Sequence, residues 1–85
     1  MKEKVSEAVN DKIKHLNMFV SDVYMSDEEG IKTLNIEIDS DKVIDVERIT
    51  EVSQIINPII DQLDLVSGEY VLDIHSKVKG DSSNE

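Results

Sequence analysis

Apolar positions follow a helical period, then an alternating one, and the same succession repeats once. In residues 3–16, Val5, Ala8, Val9, Ile13 and Leu16 recur at i, i+3, i+4 spacing, with Lys and Glu on the other face. This predicts a first helix, and Asn17 is a stop signal. Residues 18–25, Met-Phe-Val-Ser-Asp-Val-Tyr-Met, have the aromatic and branched content of a strand. Their alternation is imperfect, so the buried face of this strand is not assigned. Ser26-Asp27-Glu28-Glu29-Gly30 reads as a hairpin turn of five residues. Residues 31–39 are the cleanest strand: Leu34, Ile36 and Ile38 alternate with Thr33, Asn35, Glu37 and Asp39. One face is therefore buried and the other wet.

Asp45 opens a second helix, because its carboxylate can accept from the free N–H groups of the first turn. Ile44 and Ile49 are spaced as a hydrophobic staple, and Glu47 suits the positive end of the helix dipole. The apolar stripe is Ile49, Val52, Ile56, Ile59 and Leu63, widened by Ile55 and Ile60. Pro58 falls inside it. An interior proline costs about 3 kcal/mol, so a kink near 54–58 or a break is expected, with a short turn onward to about 63. Ser67-Gly68 turns the chain. A third strand over 69–77 places Tyr70, Leu72 and Ile74 on one side and Val71, Asp73 and His75 on the other. Residues 1–77 are thus expected to be one domain. Residues 78–85, which include Gly80-Asp81-Ser82-Ser83-Asn84-Glu85, have little to bury and are expected to be a disordered tail.

The order α-β-β-α-β implies a two-layer α+β fold, with two helices packed on one face of a three-stranded sheet. The other sheet face is then open to water. By alternation it carries Asn35, Glu37, Asp39, Asp73 and His75, joined by Asp22.

Composition narrows the function classes. The chain has 85 residues, room for a single domain with a thin core. Ile, Leu, Val and Phe number 27, enough for collapse despite the charge. No Cys is present, which removes disulfides, thiol nucleophiles and cysteine zinc sites. No segment nears the roughly 18 apolar residues of a membrane span, and Met1-Lys2-Glu3-Lys4-Val5 is not followed by a signal-peptide apolar run. The expected location is the cytoplasm.

Net charge is −10, and it is segregated: residues 1–17 carry +1 and residues 18–85 carry −11. Nine acids crowd residues 22–47 against Lys32 and Lys42. Phosphate binding works through Lys and Arg, so nucleic acid is disfavoured as a direct partner; the segregated acids suggest a basic partner such as a protein, or serve solubility alone.

The chemical motifs are weak. Asp39, Asp41 and Asp45 invite a calcium loop, but Val43, Ile44 and Thr50 stand where an oxygen ligand, Gly and Glu are required. These acids fit turn chemistry and capping. His15 and His75 have no spacing that brings them together on a metal, and His15 fits a helix C-terminus. Ser21, Asp73 and His75 supply triad residue types, yet a flat sheet face shelters no nucleophile and offers no oxyanion hole. A KH domain has a similar order but needs a Gly-x-x-Gly loop, which is absent; Lys2, Lys4, Lys12 and Lys14 form the basic patch. No catalytic residues, metal or cofactor are expected.

Four segments share order and spacing with a known family. They are Val20-Ser21-Asp22-Val23-Tyr24, Leu34-Asn35-Ile36-Glu37-Ile38-Asp39, Ile44-Asp45-Val46-Glu47-Arg48-Ile49-Thr50-Glu51-Val52-Ser53 and Gly68-Glu69-Tyr70-Val71-Leu72-Asp73-Ile74. With these, Val5 to Ser76 resembles the N-terminal domain of the bacterial ribosome maturation factor RimP. That family continues with Ser-Ser-Pro-Gly, an Arg-Pro-Leu segment and an Sm-like β-barrel domain. Here His75-Ser76-Lys77-Val78-Lys79-Gly80 stands in that place, with only Ser76 matching, and the barrel has no counterpart in these residues.

The resemblance implies a non-enzymatic factor that binds the immature small ribosomal subunit, partly through a basic ribosomal protein. Asp22, Glu37, Asp39, Asp73 and His75 are the candidate partner-binding residues. The competing expectation is an acidic, self-associating or regulatory domain with no ribosomal role. It would be a monomer or weak dimer, with Val66, Val71 and Val78 as an uncovered apolar strip.

Overall fold

The computed structural model describes residues 1–77. The expected disordered tail and Val78 lie outside the described residues. Helix α1 spans Lys2–Ile13 and tightens into a 3-10 turn over Lys14–Leu16. Strands β1 (Met18–Glu28) and β2 (Ile31–Ser40) follow, then helix α2 (Val46–Leu63) and strand β3 (Val71–Ser76). The sheet order is β1-β2-β3. β1 pairs with β2 antiparallel and β2 with β3 parallel. The parallel pair needs a crossover, which α2 provides. This is the α+β architecture read from the sequence.

Both helices cover the same side of the sheet. α1 lies over β1 and beside α2, and α2 lies over β3. Val5, Val9 and Ile13 from α1, Val52, Ile56 and Ile60 from α2, and Leu34, Ile36 and Ile38 from β2 are all completely buried. Each fully buried branched side chain contributes about 1.5–3 kcal/mol of hydrophobic free energy. The core therefore rests on one stripe per helix and one face per strand.

The ends of elements are closed by side chains. The Asp45 carboxylate accepts from the Arg48 N–H at 2.9 Å, making the expected N-cap. Asn17 takes the left-handed conformation at φ 62° and ends the 3-10 turn. The Ser40 hydroxyl donates to the Asn17 carbonyl at 2.6 Å and accepts from the Lys42 N–H at 3.2 Å. The close of α1 is thus tied to the close of β2. On β1, an edge strand, the outward Val20 N–H donates to Asn10 of α1 at 2.8 Å. Capturing that group blunts an edge that would otherwise recruit another strand.

Three expectations are corrected. The turn after β1 has two residues instead of five. Glu29 and Gly30 both take positive φ (55° and 82°), the pattern whose twist matches paired strands. Asp27 accepts from the Gly30 N–H at 3.1 Å and helps hold the turn. β1 therefore runs on through Ser26-Asp27-Glu28. Second, β3 begins at Val71 rather than 69, after Gly68 turns the chain at φ 82°. Third, Pro58 does not break α2, which is continuous to Leu63 and ends where Asp64 turns left-handed. Pro58 and Gln54 both lie on the exposed side of α2. The carbonyl freed by the proline ring can therefore bond to water, and the buried stripe passes behind it.

Candidate functional site

Pairing register places side chains on the uncovered sheet face in rows. Asp22, Glu37 and His75 are partners across the three strands. The next row toward the hairpin is Tyr24, Asn35 and Asp73, then Ser26, Thr33 and Val71. In the other direction Phe19 sits opposite Asp39. The five candidate residues Asp22, Glu37, Asp39, Asp73 and His75 thus share one face. Asp22, Glu37 and His75 form its central row, while Asp39 stands at the end near Phe19.

The register of β1 slips between Val20 and Asp22, leaving Ser21 as an extra residue. This bulge explains the imperfect alternation. Before it, Phe19 points to the open face and Val20 inward; after it, Asp22 and Tyr24 point out and Val23 inward. Val20 and Val23 are buried, and Phe19 and Tyr24 are each 44% exposed. The Asp22 carboxylate accepts from the Val23 N–H at 2.9 Å, within the disturbed ladder.

Not every polar group on this face is available to a partner. Asn35 was expected on the wet side, yet it is only 6% exposed. Its amide donates to the Ser26 hydroxyl at 2.9 Å and to the Tyr24 and Thr33 carbonyls at 3.3 Å each. It fastens β1 to β2. Glu37 and Asp39 are half-buried, and Asp39 accepts from the Ser40 N–H at 2.7 Å. Asp73 is exposed and lies 3.7 Å from Nδ1 of His75. The His75 ring meets the Tyr24 ring edge-on, with centroids 6.5 Å apart at 69°. One aromatic contact therefore spans β2 from edge strand to edge strand.

The rings of Phe19 and Tyr24 are the feature that alternation missed. Their phase depends on the bulge, and a bulge at Ser21 has no composition signal stronger than a break in pattern. Ile31 and Val71, 54% and 51% exposed, extend the same face toward the hairpin. Val66 instead packs against the core on the helical side. Of the apolar strip expected for self-association, Val66 is half-buried, Val71 is exposed and Val78 lies outside the described residues.

The geometry also bears on the weaker chemical motifs. His15 sits in the 3-10 turn after α1, away from His75 on the open face. Among the described residues, no three His, Asp or Glu are placed to hold a metal ion. Asp39 and Asp45 serve a strand end and a helix cap. Ser21 lies in the bulge of β1 while Asp73 and His75 lie on β3, with β2 between them. A hollow of about 530 Å³ lies at the hairpin end, lined by Gly30, Ile31, Lys32, Gly68, Glu69, Tyr70 and Val71. The Lys32 ammonium donates to the Ser67 carbonyl there at 3.3 Å and pins the hairpin to the α2–β3 loop. No helix among the described residues is long and apolar enough to cross a membrane.

The family model of the RimP N-terminal domain matches residues 8–77. The chain belongs to that family. The match begins inside α1 and takes in every strand, α2 and the whole uncovered face. No curated protein matches the chain. Membership in the RimP N-terminal family makes this a ribosome maturation factor domain, with partners related to the ribosome.

Proposed function

We propose that this RimP N-terminal domain acts in the cytoplasm by binding, without catalysis, and docks on the small ribosomal subunit through a basic ribosomal protein. The functional unit is residues 1–77. The docking surface is the uncovered sheet face, with Asp22, Glu37, Asp73 and His75 at its centre and Asp39 at its end. The observation that carries this reading is the placement of those acids. Four carboxylates share one face that neither helix covers, on a chain whose residues 18–85 carry a net charge of −11. Like charges on neighbouring strands oppose folding by a few tenths of a kcal/mol per pair, so a partner that supplies Lys or Arg relieves a standing repulsion. Family membership supplies the ribosomal context.

The test is co-sedimentation of the full chain with small subunits from lysate at low salt, with the same lysate depleted of ribosomes as the control. Contacts of this kind are screened over about 8–10 Å at 0.1–0.15 M ionic strength. The expected result is enrichment with subunits, lost in a Glu37→Lys/Asp73→Lys variant that keeps its circular dichroism. A wild-type protein that stays in the supernatant would sink the proposal.

A further inference from the structure

Carboxylates attract lysine and arginine alike, whereas aromatic faces favour the flat guanidinium. On the uncovered face, the exposed rings of Phe19 and Tyr24 stand among the acids. Neither ring is needed to fill the core, which lies on the other side of the sheet. Tyr24 is steadied by the edge-on contact to His75. Same-face neighbours along a strand are about 6.6–6.8 Å apart, and adjacent strands about 4.8 Å apart. Asp22, Glu37 and Asp73 are therefore all within about 10 Å, one or two such steps, of the Tyr24 position.

We propose that this face selects arginine over lysine. Its occupant is an extended, arginine-bearing segment of a protein, with guanidinium planes stacked on Tyr24 and Phe19 and their N–H groups donating to Asp22, Glu37 and Asp73. This rests on the docking role proposed above and adds to it the residue type that is recognised. The sign of the face disfavours a phosphate-bearing polymer, and a second copy of a chain of net charge −10 brings the same acids. The Phe19 and Tyr24 rows are two pleats apart on β2, about 13–14 Å. An extended segment spans that distance with two arginines separated by three residues.

The experiment titrates the full chain, at low salt, into a labelled peptide with two arginines at that spacing, and into its lysine twin of equal charge. The arginine peptide is expected to bind about twofold to fivefold more tightly for each stacked ring, the range of an exposed cation–π contact. Tyr24→Leu and Phe19→Leu are expected to lower arginine binding to the lysine level. Tyr24→Phe, which keeps the ring face, is expected to retain the preference. Equal affinity for the two peptides overturns arginine selection and leaves the docking role standing. If neither peptide binds while the protein still pellets with small subunits, arginine selection on this face is likewise overturned. If neither peptide binds and nothing pellets, both proposals fall. Ring variants that change the sedimentation coefficient without any peptide binding overturn it in favour of a second copy.

Discussion

Strand β2 presents two faces with opposite rules. Leu34, Ile36 and Ile38 are sealed under both helices, while Asn35, Glu37 and Asp39 alternate with them on a face that no helix covers. On the sealed side Leu34, Ile36 and Ile38 are apolar because a layer of side chains lies above them, and the buried Ser40 at the strand end spends its hydroxyl on the Asn17 carbonyl and the Lys42 N–H. On the other side the strand is shielded only by its own neighbours, Tyr24 and Ser26 on β1 and Asp73 and His75 on β3. That shielding is enough to bury Asn35 and to half-bury Glu37. The lesson is that an uncovered sheet face is not uniformly wet. Its central strand is partly interior: Asn35 is withdrawn from a partner, Glu37 stays half-open to one, and the margins are the most open.

The strongest way to break this comparison is to damage the sealed face. Ile36→Ala removes a completely buried side chain at the centre of β2. A loss of about 2–5 kcal/mol is expected from transfer plus cavity terms. Small domains have only about 5–15 kcal/mol in total, so urea unfolding should move far toward zero denaturant. A loss below about 1 kcal/mol would mean that the helices do not seal this face.

Asn35 tests the boundary between the two rules. Asn35→Ala removes the donor to Ser26, Tyr24 and Thr33 and leaves those acceptors without it. A loss of about 1–3 kcal/mol is expected by the same measurement. A neutral result would return Asn35 to the solvated margin. Asn10→Ala tests the β1 edge. It strips the acceptor from the Val20 N–H, a part-buried bond, and is expected to lose about 1 kcal/mol. Hydrogen exchange at Val20 should quicken, whereas exchange at Ile36 should slow or quicken only with global stability.

The sealed face was legible in the sequence because alternation in β2 and the i, i+4 stripes of both helices report burial directly. Asp45, Ile44 and Ile49 were legible for the same reason: each has a fixed offset from a helix start. The open face was legible only where its strand kept phase. Glu37, Asp39, Asp73 and His75 follow from alternation within β2 and β3, and their neighbourhood follows from the strand order that the structure supplies. Phe19 and Tyr24 did not, because the bulge at Ser21 resets the alternation between them. Asn35 looked like any polar position on a wet face, since its burial comes from partners nine to eleven residues away in sequence. The two-residue turn hid for a local reason: Glu29 takes positive φ without the Gly, Asn or Asp that usually announces it.

The smallest effect is the sharpest on the question of purpose. Glu37→Gln keeps the shape of the side chain and removes its charge. Glu37 faces Asp22 directly across the β1–β2 pair and lies beside Asp73 on the diagonal. A residue retained for stability should leave the domain weaker when neutralised. A residue retained for docking should leave it unchanged or stronger, because one like-charge pair has been removed. The expected change is a gain of about 0.2–0.5 kcal/mol at low ionic strength, shrinking as salt screens the pair. Urea unfolding at two salt concentrations reads both quantities, and co-sedimentation of the same variant should weaken. A loss of stability larger than about 1 kcal/mol, insensitive to salt, would make Glu37 part of the partly interior strand beside Asn35, and would confine the docking surface to the margins occupied by Asp22, Tyr24, Asp73 and His75.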